Sequence, residues 1–371
     1  MKKATLKQIA DMAGVSLTTV HRAINGKGGC SQDVEERILR IAKEQGYTIN
    51  VAAASLRKAT VNIALIFPFR DNGGRFFIDR ILDGYLECRR EAAPYNVVFQ
   101  EFLLRSSDEK LEDYLDMEYP ELEKVLRQIY QEQPTHFDGV IIYGKSITRR
   151  AEAMLNRIIG SGTRVVVIDR ELDNLEDICC IRANDTIAGN MAAEMLCRDI
   201  RTSGTVLIIS QSVPGGDPCG EICARSIEEE RPDLRTVLVP LIMNVDVSDA
   251  IIQEMEKIPD LVGMYVTNGR HTNSALMAME KTGRKPYSFV GSEVYEETYR
   301  ALKDRRVEAL IDKRPEKIGY TALNLLVTAL YTNGKLPAVE YITPRIVLRS
   351  NSDAYYVKQG SHYDLEEYTG E

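Results

Sequence analysis

Two sets of side chains in this 371-residue sequence have the type and spacing to do recognition chemistry. In LTTVHRAI, Leu17, Thr18, His21 and Arg22 fall on one face of a short helix, near its N-terminal end. Arg22 carries a planar fork that fits guanine O6 and N7 together, whereas Leu17 offers only apolar contact. His21 reads a base edge, touches a phosphate or stands as a solvated histidine, and the residues leave that choice open. The second set stands directly after apolar runs: Lys145 after GVIIYG, Asp169 and Arg170 after RVVVI, Asn268 after MYVT, and Glu293 after FVGS. Ligands of open α/β sheets bind beyond the carboxyl ends of the strands, so these positions are expected to share one cleft. Forked cations and carboxylates in one pocket take adjacent hydroxyls two at a time, which suits a sugar.

Catalytic chemistry is not expected. Gly139 to Ser146 spells GxxxxGK[ST], the phosphate-loop pattern. Such a loop needs free N–H groups after a strand, and Val140 to Tyr143 read as the strand itself. Lys145 is accordingly placed at the rim of the cleft. The four histidines are His21, His136, His271 and His362, and no Ser-His-Asp, metal-ligating or paired-carboxylate arrangement stands out. A protein that is not an enzyme and needs neither cofactor nor metal is the expectation.

Three amphipathic helices must hold the first set. Thr5 and Gln8 stand three apart as a capping box, Leu6, Ile9, Ala10 and Ala13 follow at helical spacing, and Gly14 breaks the helix. Val15 covers the turn. Ser16 caps a second helix, which turns Val20 and Ile24 inward and stops at Asn25-Gly26. Ser31 caps a third, with Asp33, Glu35 and Glu36 in its first turn and Val34, Ile38, Ile41 and Ala42 facing the core, and Gly46 ends it. Two short helices across a glycine turn make a helix-turn-helix, whose second member lies in the DNA major groove.

Charge divides along the same line. Residues 1–60 carry ten Lys and Arg against five acids, +5, while the whole chain is −8 and the rest therefore −13. A basic head on an acidic body confines nucleic-acid affinity to the head. No run of residues approaches a membrane span and no signal-peptide core opens the sequence, so a cytoplasmic, nucleoid-associated protein is expected. Seven cysteines without a CxxC pair read as reduced, mostly buried thiols.

From Val61 the period changes. VNIALIF is the kind of apolar run buried in a parallel sheet, and IDRILDGYLECRREA after it is an amphipathic helix. The alternation continues through VVFQEFLL, GVIIY, RVVVID, TVLIIS, TVLVP, LVGMYVT and YSFVGS, which is too many strands for one sheet. Two doubly wound α/β lobes with a cleft between them are expected. The polar stretch from Arg105 to Glu118 reads as a surface excursion.

AGVSLTTVHRAINGKG followed by GYTINVAAASLRK resembles the lactose/galactose repressor (LacI/GalR) family of bacterial transcription regulators. RVVVIDRELD, CIRANDTIAGNMAAEML, YVTNGRHTNSALMAMEKTG and TPRIVLRSN extend that resemblance into the body. It implies a helix-turn-helix domain at 1–48, a hinge at 49–60 and a periplasmic-binding-protein-like effector and dimerisation domain at 61–371. Within the last, lobe 1 is expected at about 61–172 plus 307–335, and lobe 2 at about 173–306 plus 336–352. Carried over by position, Leu17, Thr18 and Arg22 read bases, and Thr5, Ser16, Thr19 and Asn25 approach phosphates. Tyr47, Asn50, Ala53 and Leu56 are hinge positions, with Leu56 the wedge in the minor groove. Ile49 stands where the family usually has proline.

In the body the resemblance implies that Phe76 and Phe77 cover a ligand ring, that Asp169 and Arg170 form the family's Asp-Arg step, and that Arg225 begins a lobe helix and holds ligand hydroxyls or carboxylates. Gly269 departs from a common Asp, and Glu293 from the usual Asp. The implied partners are a double-stranded operator, a sugar-like effector and a second copy of the chain, as a dimer or a tetramer. A sugar-binding receptor without a DNA role and a purine-responsive regulator are the alternatives.

Overall fold

The computed structural model describes residues 5–24, 29–45, 60–68, 76–104, 120–131, 137–172, 174–211, 218–241 and 246–356. Asn25, the hinge positions Tyr47, Asn50, Ala53 and Leu56, and the stretch from 105 to 118 lie outside the described residues.

Helix α1 (Leu6–Ala13) opens on its capping box: the Gln8 N–H donates to Thr5 Oγ1 at 3.3 Å, and the Thr5 N–H to Gln8 Oε1 at 2.8 Å. Such a cap stabilises by about 1 kcal/mol. Gly14 takes φ +64°, a left-handed geometry that ends the helix without Cβ strain. Helix α2 (Leu17–Ile24) starts from Ser16, whose Oγ accepts the Thr19 N–H at 3.1 Å, and α3 (Gln32–Glu44) completes the head. Ile9, Ala10, Ala13, Val20, Ala23 and Ile38 are buried together between the three.

Beyond Thr60 the described residues build two lobes around two six-stranded sheets. The first comprises β1 (Val61–Pro68), α4 (Phe76–Ala92), β2 (Val97–Leu104), α5 (Pro120–Gln131), β3 (Gly139–Tyr143), α6 (Arg149–Gly160), β4 (Arg164–Ile168) and β5 (Ile178–Ala183). The second comprises α7 (Asp185–Asp199), β6 (Gly204–Gln211), α8 (Pro218–Glu230), β7 (Leu234–Leu241), α9 (Ser248–Glu256), β8 (Leu261–Val266), α10 (Gly269–Thr282), β9 (Ser288–Ser292), α11 (Glu296–Lys303) and β10 (Ala309–Asp312). The chain then returns to the first sheet through α12 (Pro315–Thr332) and β11 (Val339–Ile342), and β12 (Arg345–Val347) closes the second.

The strand orders, β11-β5-β4-β3-β1-β2 and β12-β10-β9-β8-β6-β7, are one topology used twice. Among the described residues every pairing is parallel except β10 with β12. Parallel strands covered on both faces need apolar or small residues throughout, and β3 (GVIIY) and β9 (SFVGS) are buried at every position. The edge strands β2 and β7 mix exposed with half-buried residues.

The expected lobe boundaries need correction. The three crossings come after Ala183, Asp312 and Ile342, each later than the boundaries at 172, 306 and 335. Ladder pairing is the reason: Ile178 pairs with Val165, Ala309 with Val290, and Val339 with Cys180, so each strand is held in its sheet before the chain leaves. All seven cysteines are free, and six are buried. Burial pushes the thiols of Cys88, Cys179 and Cys180 up to about 12, which keeps them protonated and inert. Among the described residues, no helix is long and apolar enough to cross a membrane.

Candidate functional site

On α2, Leu17 is 51 % exposed, Thr18, His21 and Arg22 are exposed beside it, and Val20, Ala23 and Ile24 face the core. The four form the open face of the helix. The Arg22 guanidinium lies over Gly29, where φ is +99° and a Cβ would come within 2.7 Å of Arg22 Cζ. Of the residues expected near phosphates, Thr5 and Ser16 are exposed and Thr19 is half-buried, with Ser16 Oγ and Thr19 Oγ1 2.8 Å apart.

Between the lobes, the carboxyl ends of the two sheets enclose a cavity of about 120 Å³, roughly ten water-sized spheres. Phe76, Phe77, Lys145, Asp169, Asn268 and Glu293 all line it. Phe76 and Phe77 come from the first turn of α4, Lys145 from the 3-10 turn Gly144–Ser146 after β3, and Asp169 from the residue after β4. Asn268 caps α10, its Oδ1 accepting the His271 N–H at 2.9 Å, and Glu293 follows β9. Asp169 and Glu293 occupy equivalent places in the repeated topology. Both are left-handed, at φ 64° and 65°, and both N–H groups donate to the next strand, to Ile181 O at 2.9 Å and Ile311 O at 3.0 Å.

Arg170 and Arg225 do not line the cavity. Arg170 Nη1 donates to Ile147 O at 2.9 Å, so it braces the turn that carries Lys145. Arg225 is exposed on α8, which begins at Pro218; the arginine sits two turns inside the helix instead of at its start. The phosphate-loop spelling also resolves. Val140 to Tyr143 pair in register with β4 and partly with β1, which takes up the backbone groups a phosphate would need.

Opposite charges are interleaved around the cavity. Lys145 Nζ lies 2.8 Å from Asp169, Arg80 Nη2 3.3 Å from Glu316, and Lys313 Nζ 3.4 Å from Asp185. Arg345 Nη2 joins Asp312 at 2.6 Å, the end of β10, to Glu316 at 3.1 Å, in the first turn of α12. That one guanidinium ties lobe 2 to lobe 1. Burial pushes the Glu293 carboxyl well above the usual carboxylate range; the Asp312 carboxylate adds to the rise and Lys313 opposes it. Glu293 is therefore a hydrogen-bond donor over a wider pH range than an ordinary glutamate.

The cavity has members that reading the strand ends did not name. Tyr143, Gln211 and Asp312 close β3, β6 and β10 and line it, as do Arg80, Arg270 and Tyr295. Tyr295 carries the most geometry. Its ring stacks on Phe76 across the lobes, centroids 4.6 Å apart and planes at 8°, and its hydroxyl donates to Gly269 O. A Cβ at Gly269 would lie 2.6 Å from the Tyr295 ring. The glycine in place of a common Asp and the tyrosine are thus one feature. Among the described residues, no group of His, Cys, Asp and Glu is placed to hold a metal.

A family model described as bacterial regulatory proteins, lacI family, matches residues 5–50, and a periplasmic binding protein domain matches residues 120–335. The chain is 40% identical over 95 residues to the ribitol operon repressor of Klebsiella aerogenes, covering 24% of this chain and 34% of that protein, about a third of its length. It is 24% identical over 285 residues to the ribose operon repressor of Halalkalibacterium halodurans, 76% of each. In fold it is similar to a putative LacI transcriptional regulator from Bacteroides fragilis, with a TM-score of 0.64 and 17% identity over 80% of this chain and 99% of that one. A glucose-galactose binding protein from Geobacillus stearothermophilus compares at 0.62 and 18%, over 79% and 99%. The chain thus joins a lacI-family helix-turn-helix domain at its head to a two-lobed body that belongs to the periplasmic binding protein domain family.

Proposed function

We propose that this protein is a ligand-responsive transcriptional repressor that acts in the cytoplasm and binds a near-palindromic operator as a dimer. The observation that carries the reading is the union, in one chain, of the exposed face on α2 with a cavity between two lobes that is lined by aromatic and charged side chains. One three-helix head buries little and reads few bases, so two heads on a symmetric site supply the selectivity. A sugar or sugar derivative in the cleft shifts the balance between lobe arrangements, and the lobe that follows the head transmits the shift. Relatives named for ribitol, ribose, sucrose and fructose operons support a carbohydrate effector. The interleaved acids and bases support it independently, because each pair presents both a donor and an acceptor to neighbouring hydroxyls.

The test has two arms. Selection of bound duplexes from a random library should return a near-palindrome, and D-ribose, ribitol, sucrose or D-fructose should change the affinity for it. Arg22→Ala should lower selectivity at one base pair of each half-site by about 1–3 kcal/mol, read by fluorescence anisotropy, and leave sugar binding unchanged. Failure to enrich any duplex over random DNA would defeat the reading.

A further inference from the structure

His271 is fully buried in the first turn of α10, next to the cavity-lining Asn268, and plays no part in the reading above. Its Nδ1 lies 2.9 Å from Asn268 Nδ2, while its backbone N–H donates to Asn268 Oδ1 at 2.9 Å. These two contacts fix the chemistry of both side chains. The oxygen of the Asn268 amide is committed to the start of α10, so the amine end must face the ring, and the ring nitrogen that meets it must accept. A neutral histidine accepts through Nδ1 only if its proton sits on Nε2. The surroundings hold this arrangement in place: Thr272 Oγ1 donates to Asn268 O at 2.8 Å and accepts the Ser292 N–H at 3.0 Å, and Ser292 Oγ donates to Val266 O at 2.6 Å. The ends of β8 and β9, which carry Asn268 and Glu293, are thereby locked together.

We propose that His271 is a positioning residue of the cleft, whose Nε2–H tautomer leaves Asn268 one N–H to offer, so that a bound effector sets an acceptor oxygen against it. A ring ether, a carbonyl or a hydroxyl lone pair meets that requirement; an ammonium group does not. The claim about the ligand rests on the cleft being the effector site, whereas the claim about the tautomer does not.

Long-range proton–nitrogen spectra of the full, unliganded, 15N-labelled chain should show His271 with a bare Nδ1 and a protonated Nε2 at neutral pH. A protonated Nδ1 would overturn the proposal outright. Calorimetric titration with D-ribose, ribitol and D-fructose supplies the second readout. For each of these that binds the wild type, His271→Leu should weaken binding about tenfold, and His271→Gln, whose amide oxygen accepts in the same place, should hold it within about threefold. Equal losses in both variants, or none in either, count against positioning. If none of the three sugars binds the wild type, the carbohydrate reading of the cleft fails for them, and the tautomer spectrum still decides the role of His271.

Discussion

Asp169 and Glu293 show how single residues carry the cleft. A left-handed conformation costs a non-glycine residue on the order of 1–3 kcal/mol and persists only where neighbours over-determine it. Here each is pinned by its own N–H to the adjacent strand, and each backbone turn aims a carboxyl at the cavity instead of continuing the strand. Glu293 has a consequence for pH. Below its ordinary value of about 4.5, folded and unfolded chains both hold the proton. As pH rises, the unfolded chain releases it first, so the folded state loses relative stability until its own, higher value is passed. Glu293→Gln cannot titrate, and its Tm should therefore gain on the wild type as pH moves from about 4.5 toward neutrality. Paired calorimetric scans showing a constant difference would contradict the burial argument. Of the eight residues inferred for this cleft, five came from the rule that ligands meet strand ends, and four of these, Lys145, Asp169, Asn268 and Glu293, line the cavity, as do Phe76 and Phe77, which the resemblance supplied. Arg225 misled because a matching letter does not reveal where a helix begins. Tyr295 was not legible because its place depends on the empty space at Gly269, a contact between distant segments.

At the scale of elements, the closest packing in the first lobe is between α4 and α12. A Cβ at Gly84 would stand 1.8 Å from Glu316 O, and one at Gly319 1.8 Å from Ile81 O. Backbone meets backbone, and the contact fixes where α12 starts after crossing from the second lobe. Gly84→Ala cannot be accommodated by turning a side chain. It should cost about 1–3 kcal/mol, seen as a lower Tm, and should displace Glu316 from Arg80 and Arg345. A Tm equal to the wild type would mean that the helices move apart freely. The long, apolar strands were readable because burial on both faces leaves a continuous hydrophobic run. The strands β5, β10, β11 and β12 were not read as strands. They have three to six residues each, with Arg182, Asp312, Glu340 and Arg345 interrupting the apolar pattern. Their charges belong to the crossings, where the chain passes between lobes and ion pairs hold it. This is also why the lobe boundaries were placed early.

For the whole molecule, the question is what holds the lobes together without a ligand. The crossings are laced by Arg345 between Asp312 and Glu316, and by Lys313 with Asp185. On the cavity side, the Phe76–Tyr295 stack is a contact that a hinge rotation must break. Such a pair contributes about 0.5–1.5 kcal/mol beyond its area, roughly two- to twelvefold in the ratio of closed to open forms. Phe76→Ala should thus shift the unliganded protein toward the open form, and small-angle scattering should record a larger radius of gyration. Tyr295→Leu should do the same while also freeing Gly269 O. If the scattering of both variants matches the wild type, the stack is packing and not a latch. If they open, and if a sugar in the cleft favours the closed form, operator affinity without any sugar should change in the direction opposite to the change the sugar produces, because variant and ligand then act on one equilibrium from opposite sides.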